Sequence, residues 1–156
     1  MAKKILFVCT GNTCRSSMAE AIALKIIADN IEKYKDIFVT SAGTFALEGG
    51  PAATNAIKIA EEKGMDLKDF RSKPITPQLI KAADIIFTMG NSHKRQILDM
   101  DPEAKDKVFL LKEYINDLEN PEVSDPFGQP LEVYRECFNE LSEAIEKAFN
   151  KIILTH

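Results

Sequence analysis

No stretch of these 156 residues is apolar over anything approaching a membrane span, and the opening Met1-Ala2-Lys3-Lys4 leads into a short strand pattern rather than a secretory apolar region. No membrane contact is expected, and the cytoplasm is the expected location. Cysteine is scarce and odd in number, at three, which excludes a paired disulfide framework and suits a reducing compartment. Histidine is scarcer: His93 and His156 stand alone, and Cys9 with Cys14 has no second ligand pair, so no metal site is expected. His93, between Ser92 and Lys94, reads as a solvated residue at a helix start. Positive charge is in deficit, with a net charge of −4, which argues against a nucleic-acid-binding face. Attraction for an anionic substrate must then be local. Repeats, low-complexity tracts and domain linkers are missing as well, so one domain over residues 1–156 is expected.

What is present is an ordinary globular composition, 45% hydrophobic and 28% charged. Apolar runs of strand length occur at Ile5–Val8, Ile37–Thr40, Ile85–Thr88 and Val108–Leu111. Helical patterns separate or follow them, at Ser17–Asn30, Ala52–Lys63, Thr76–Ala82, Ser92–Leu98 and Leu131–Ile152. Strands alternating with helices predict an α/β domain of three layers, a four-stranded parallel sheet with right-handed crossovers and helices on both faces. The nearly continuous apolar character of the strands fits burial on both sides. On the last helix, Leu131, Tyr134, Phe138, Leu141, Ile145, Ala148 and Ile152 share one face, which reads as packing. The segment from Asn116 to Pro130 is the one long loop, and long loops in compact domains are often functional.

The first strand runs directly into Cys9-Thr10-Gly11-Asn12-Thr13-Cys14-Arg15-Ser16, followed at once by a helix. This is the pattern of a phosphate cradle containing a nucleophile. Loop N–H groups can surround an oxyanion, and the helix dipole adds positive potential at the same point. Arg15 can grip two oxygens through its planar fork. The same field is expected to favour the Cys9 thiolate. Gly11 is expected to supply a positive φ in mid-loop, and Ser16 and Ser17 the N-cap chemistry of the helix. The competing reading of Cys9 is a buried structural thiol at a strand end.

CTGNTCRS, with SAGT at residues 41–44 and DPFG at 125–128, resembles the low-molecular-weight protein tyrosine phosphatase family over nearly the whole chain. The resemblance implies the phosphate-binding loop between strand 1 and helix 1, and a metal-free, cofactor-free hydrolase that forms a phosphocysteine. It implies Cys9 as nucleophile, Arg15 and loop residues 10–16 as the phosphate site, and a phosphorylated protein as substrate partner. It also brings Asp125 over the loop as general acid, with Phe127 as a pocket wall; the alternative is that Asp125 only makes an Asx-type turn before Pro126, as Asp101 does before Pro102. Ser16, by the same resemblance, hydrogen-bonds the Cys9 sulfur, and Asn12 and Ser41 support the loop. Phe70 stands where relatives often carry a His of this network, so a smaller network is expected. Ser17 replaces a common Pro, and Phe127-Gly128 replaces the paired tyrosines of eukaryotic relatives.

Thr13 bears on the substrate. Tyrosine-directed members commonly have Ile or Leu there, whereas Thr resembles the bacterial protein-arginine-phosphatase branch, as does DPFG. Phosphotyrosine and phosphoarginine both stay open, as does a Thr13 that merely hydrogen-bonds within the loop. Two other uses of the same fold are an arsenate reductase-like thiol enzyme and a cysteine phosphocarrier. The first requires more cysteines after the third strand, and residues 82–100 contain none. The second needs no acid, which Asp125 argues against. Cys14 is either a redox partner that protects Cys9 or a packing thiol. Cys137 is read as core. Lys94 and Arg95 are read as a surface charge pair, with guidance of phosphoprotein as the alternative. A monomer or weak oligomer is expected.

Overall fold

The computed structural model describes residues 2–155. Four parallel strands form one sheet: β1 (Lys3–Cys9), β2 (Ile37–Gly43), β3 (Ile85–Thr88) and β4 (Val108–Leu110), in the order β2-β1-β3-β4. Around it lie α1 (Arg15–Asp29), α2 (Ile31–Tyr34), α3 (Thr54–Glu62), α4 (Pro77–Ala82), α5 (Asn91–Met100), α6 (Leu111–Tyr114) and α7 (Leu131–Thr155). The anticipated α/β architecture is present.

The layers follow from strand alternation. Ile5, Phe7 and Cys9 of β1 enter the larger core with residues of α1, α3 and α7, while Leu6 and Val8 enter the smaller core with Ile80 of α4 and Ile97 of α5. All five β1 residues from Ile5 to Cys9 are buried, as a central strand covered on both faces requires. In α7, the anticipated stripe from Tyr134 to Ile152 is buried, and Phe149 joins it, its ring tilted against that of Tyr34 with centroids 5.6 Å apart.

The chain departs from expectation mainly at element ends. Helix α1 begins at Arg15, not Ser17, so its first turn is part of the loop that precedes it. Leu111 opens α6 rather than closing β4. The short α2, α6 and a 3₁₀ turn at Pro102–Asp106 leave too few residues for a periodic signal. At that 3₁₀ turn Asp101 does cap, accepting from the Glu103 N–H at 3.1 Å.

The strand order reverses at β1, with β2 on one side and β3 on the other. In open parallel sheets the crevice at the C-terminal ends of strands, beside such a reversal, is where ligands bind. Cys9 is the last residue of β1.

Candidate active site

Residues 10–14 connect the end of β1 to α1, and the loop is held from below by its own side chains. The positive φ falls on Asn12, at 60°, and not on Gly11. Asn tolerates this region better than most residues because its short polar side chain bonds locally. Here that side chain is fully buried and completely used. Its Oδ1 accepts from the Lys73 N–H at 3.0 Å, and its Nδ2 donates to Ser16 Oγ at 2.7 Å and Ser41 Oγ at 3.0 Å. Those bonds offset the strain of the backbone.

The donor arithmetic then orients two hydroxyls. Ser16 Oγ receives a hydrogen from Asn12, which leaves its own O–H for Cys9 Sγ, 2.9 Å away. Ser41 likewise receives from Asn12 and donates to Glu20 Oε1 at 3.0 Å. Burial raises the Glu20 carboxyl above its ordinary range, and the hydroxyl bond opposes that shift only in part. Glu20 and Lys73 therefore enlarge a network expected to be small. Ser16 and Ser17 do not cap α1: Ser16 serves Cys9, and Ser17 Oγ bonds back to the Cys14 carbonyl at 2.9 Å.

The SAGT segment is the outer wall of the same loop. Thr44 and Phe45 N–H groups donate to the Cys9 and Thr10 carbonyls, both at 2.9 Å, and the Ala53 N–H donates to the Thr13 carbonyl at 2.9 Å. With its carbonyls committed outward, the loop keeps its amide N–H groups for an anion. No acidic side chain occupies the first turn of α1, so the positive helix end is not neutralised there. Gly43 is required by contact: a Cβ at this position would lie 2.4 Å from the Thr10 carbonyl oxygen and 2.9 Å from the Asn12 nitrogen.

Arg15 is 7% exposed and has partners at both terminal nitrogens. Nη1 donates to the Val123 carbonyl at 3.0 Å, and Nη2 approaches Thr10 Oγ1 at 3.5 Å and Asp125 Oδ2 at 3.6 Å. Its buried Nε–H has no partner among the described residues. A buried guanidinium donor without an acceptor is costly unless an anion supplies one. That orphan donor, on the first residue of α1, fits an anion oxygen.

The loop carrying Asp125 is clipped to the sheet by the Val123 N–H on the Met89 carbonyl at 2.8 Å and by Glu122 Oε2 on the Asn91 N–H at 2.7 Å. The two oxygens of Asp125 face different partners. Oδ1 accepts from the Phe127 N–H at 3.1 Å, the Asx-type turn, while Oδ2 faces Arg15. Phe127, which follows in the same turn, is 71% exposed.

His93 also corrects its expectation. It is 3% exposed, its Nδ1 accepts from the Gly90 N–H at 3.1 Å, and its Nε2 lies 2.9 Å from Thr10 Oγ1. Burial first, and then the charge of Arg15, push its pKa down to about 4. A signal was available: His93 is one turn before Ile97, which is wholly buried, so both lie on the inward face of α5. Lys94, on the outer side, pairs with Glu113 at 3.1 Å as a surface charge pair.

The other two thiols lie beneath the site. Cys14 Sγ is 3.3 Å from the Tyr134 hydroxyl and 3.8 Å from Thr13 Oγ1, and burial raises its pKa. Cys137 is buried on α7, and burial pushes its thiol up to about 12, as a core residue. Among the described residues no group of three or more His, Cys, Asp or Glu is arranged to hold a metal ion, and no helix is long and apolar enough to cross a membrane.

A thiol under an anion-binding loop, an arginine with an open donor and a carboxylate across from it constitute the architecture of a cysteine-dependent phosphatase. Residues 4–154 match the model of the low molecular weight phosphotyrosine protein phosphatases. The chain belongs to that family. It is 40% identical to the protein-arginine-phosphatase of Geobacillus stearothermophilus over 97% of each chain. A YwlE arginine phosphatase solved as a Cys-to-Ser mutant with a phosphorylated active-site serine superposes with a TM-score of 0.88, at 36% identity, covering 96% of this chain and 95% of that one. A low molecular weight protein tyrosine phosphatase from T. tengcongensis superposes at 0.87 with 43% identity, covering 96% and 99%. The protein is thus a protein phosphatase, and the reductase and phosphocarrier alternatives are not favoured.

Proposed function

We propose that this protein is a protein-arginine phosphatase, removing phosphate from guanidino groups of phosphorylated proteins through a phosphocysteine at Cys9. Overall identity does not separate the substrates, since relatives of both names are similarly close. The observation that carries the reading is Thr13. Its hydroxyl has one weak contact, 3.8 Å to Cys14 Sγ, and keeps its capacity to accept from a ligand. A guanidino leaving group offers planar N–H donors, from which a hydroxyl oxygen and the carbonyl oxygen of a protonated Asp125 can accept. An aliphatic side chain at this position would instead present apolar surface to an aromatic ring.

In the first step Cys9 Sγ attacks phosphorus in line, the P–N bond breaks, and the Asp125 carboxyl proton passes to the departing nitrogen. The loop N–H groups and the Arg15 Nε–H hold the equatorial oxygens, where one well-placed donor is worth about 100-fold or more in rate. In the second step a water gives its proton to Asp125 and attacks phosphorus. The S–P bond breaks, and the Ser16 O–H stabilises the departing Cys9 thiolate. Neither step requires a metal or cofactor. The reading also assigns Thr10, Gly11, Asn12, Thr13, Cys14 and Ser16 to the phosphate loop, Ser41 to its support and Cys14 to redox protection, in a cytoplasmic protein acting as a monomer or weak oligomer.

The test compares phosphate release from matched phosphoarginine and phosphotyrosine peptides by wild-type protein and Thr13→Ile. Preference for phosphoarginine that collapses in Thr13→Ile supports the assignment. Preference for phosphotyrosine in the wild type overturns it.

A further inference from the structure

His93 takes no part in the steps above, yet it is buried against the exposed rim of the phosphate loop. Its hydrogen bonds are decided by elimination. The Gly90 backbone amide can only donate, so Nδ1 must present a lone pair, and the neutral ring must carry its proton on Nε2. A protonated ring would set an N–H against the Gly90 N–H and add a charge near Arg15. The ring's pKa of about 4 agrees with this, with Arg15 of α1 lowering it and Glu122 and Asp125 of the long loop opposing.

The Nε2–H therefore donates to Thr10 Oγ1 at 2.9 Å. Arg15 Nη2, also a donor only, approaches the same oxygen at 3.5 Å. Two donors engage both lone pairs of Thr10, so its own hydrogen must seek a third group. Thr10 is exposed at the rim, and Asp125 Oδ2 shares Arg15 Nη2 with it. A bound phosphoryl oxygen would meet that hydroxyl at the same rim.

We propose that His93 is a positioning residue for the phosphatase reaction: its Nε2–H tautomer fixes the Thr10 hydroxyl as an added donor to the phosphoryl group and as a stop for the Arg15 guanidinium. Thr10 is then part of the binding site through its side chain, not only its amide. The stop keeps Arg15 turned with Nη1 on Val123 and Nε without a protein partner among the described residues. The proposal rests on the phosphatase reading but not on the choice of phosphoarginine.

Four variants test it: His93→Phe, His93→Gln, Thr10→Val and the double His93→Phe/Thr10→Val. Each is assayed on an activated aryl phosphate and on phosphoarginine peptide, with the inhibition constant of inorganic phosphate and the thermal midpoint measured alongside. His93→Phe and Thr10→Val are each expected to lower kcat/KM about tenfold and to weaken phosphate inhibition, the scale of one lost hydrogen bond. The double variant should lose little more than either single one, because both remove the same unit. His93→Gln, which keeps an N–H donor, should recover part of the loss. Wild-type kcat/KM and phosphate inhibition in Thr10→Val overturn the proposal even if His93→Phe fails to fold, since the exposed Thr10 is replaced isosterically. Losses that multiply in the double variant overturn it too, as does a lowered midpoint with kinetics unchanged. Activity on the aryl phosphate but not on phosphoarginine would sink the substrate assignment and leave this test intact.

Discussion

Arg15 Nη2 lies 3.6 Å from Asp125 Oδ2, so the cation and the carboxylate face each other across the mouth of the cradle, one buried and the other half exposed. Neither is spent on the other. Arg15 keeps its Nε–H open, and Asp125 keeps its second oxygen in a turn that fixes its direction. Under the proposed reading, a phosphorylated side chain entering between them meets the guanidinium on one side and the carboxyl on the other.

Asp125→Asn should separate the two. Steady-state kcat is expected to fall by about 100-fold or more on a poor leaving group and far less on an activated aryl phosphate, because only the former needs the proton. Inorganic phosphate should bind no more weakly than to wild type, since Arg15 loses its neighbouring anion. An equal loss on both leaving groups would remove Asp125 from the acid role.

Gly43→Ala tests whether the SAGT segment shapes the loop. The added Cβ meets backbone atoms of Thr10 and Asn12, which cannot swing aside as a side chain can. A loss of at least about 2 kcal/mol in chemical denaturation is expected, with a larger relative loss of activity than in Gly11→Ala, where the nearest atom is 3.5 Å away.

The depressed pKa of His93 makes folding depend on pH. The unfolded ring titrates near 6.5 and the folded one at about 4, so between these values the unfolded chain holds more protons. Stability from this group is complete above about pH 6.5 and is lost as pH falls toward 4, up to about 3 kcal/mol over the window. The raised pKa of Glu20 acts in the opposite sense, because the folded state then binds its proton more readily. Urea denaturation of wild type and His93→Gln at pH 7.5 and 4.5 isolates the ring: the gap between the proteins should shrink at the lower pH. A gap independent of pH would contradict the neutral buried imidazole.

Peroxide distinguishes the two readings of Cys14. Oxidation of the Cys9 thiolate by peroxide gives a sulfenic acid and water; attack by Cys14 sulfur then forms the disulfide and expels a second water. Wild-type activity should return on adding thiol, while Cys14→Ser should suffer irreversible loss. Equal recovery in both would leave Cys14, with its bond to Tyr134, as packing.

The contiguous parts of this protein were legible in its residues. β3 occupies Ile85–Thr88, as its apolar run marks, and the cradle lies in a single segment whose strand, loop and helix follow one another in the chain. Local chemistry determined these, because each depends on neighbours within a few residues. What lies between distant segments was decided by tertiary structure. Asp125 reaches Arg15 only because Val123 and Glu122 tie the long loop to the end of β3 and the start of α5. His93 is buried because α5 packs that face toward the loop, where a desolvated ring finds a backbone amide and a hydroxyl. The positive φ belongs to Asn12 and not to Gly11 because Ser16, Ser41 and Lys73 together offer the amide its bonds, and those partners assemble only in the fold. The turn at Asp125, by contrast, is local, since its Oδ1 accepts from the N–H two residues on.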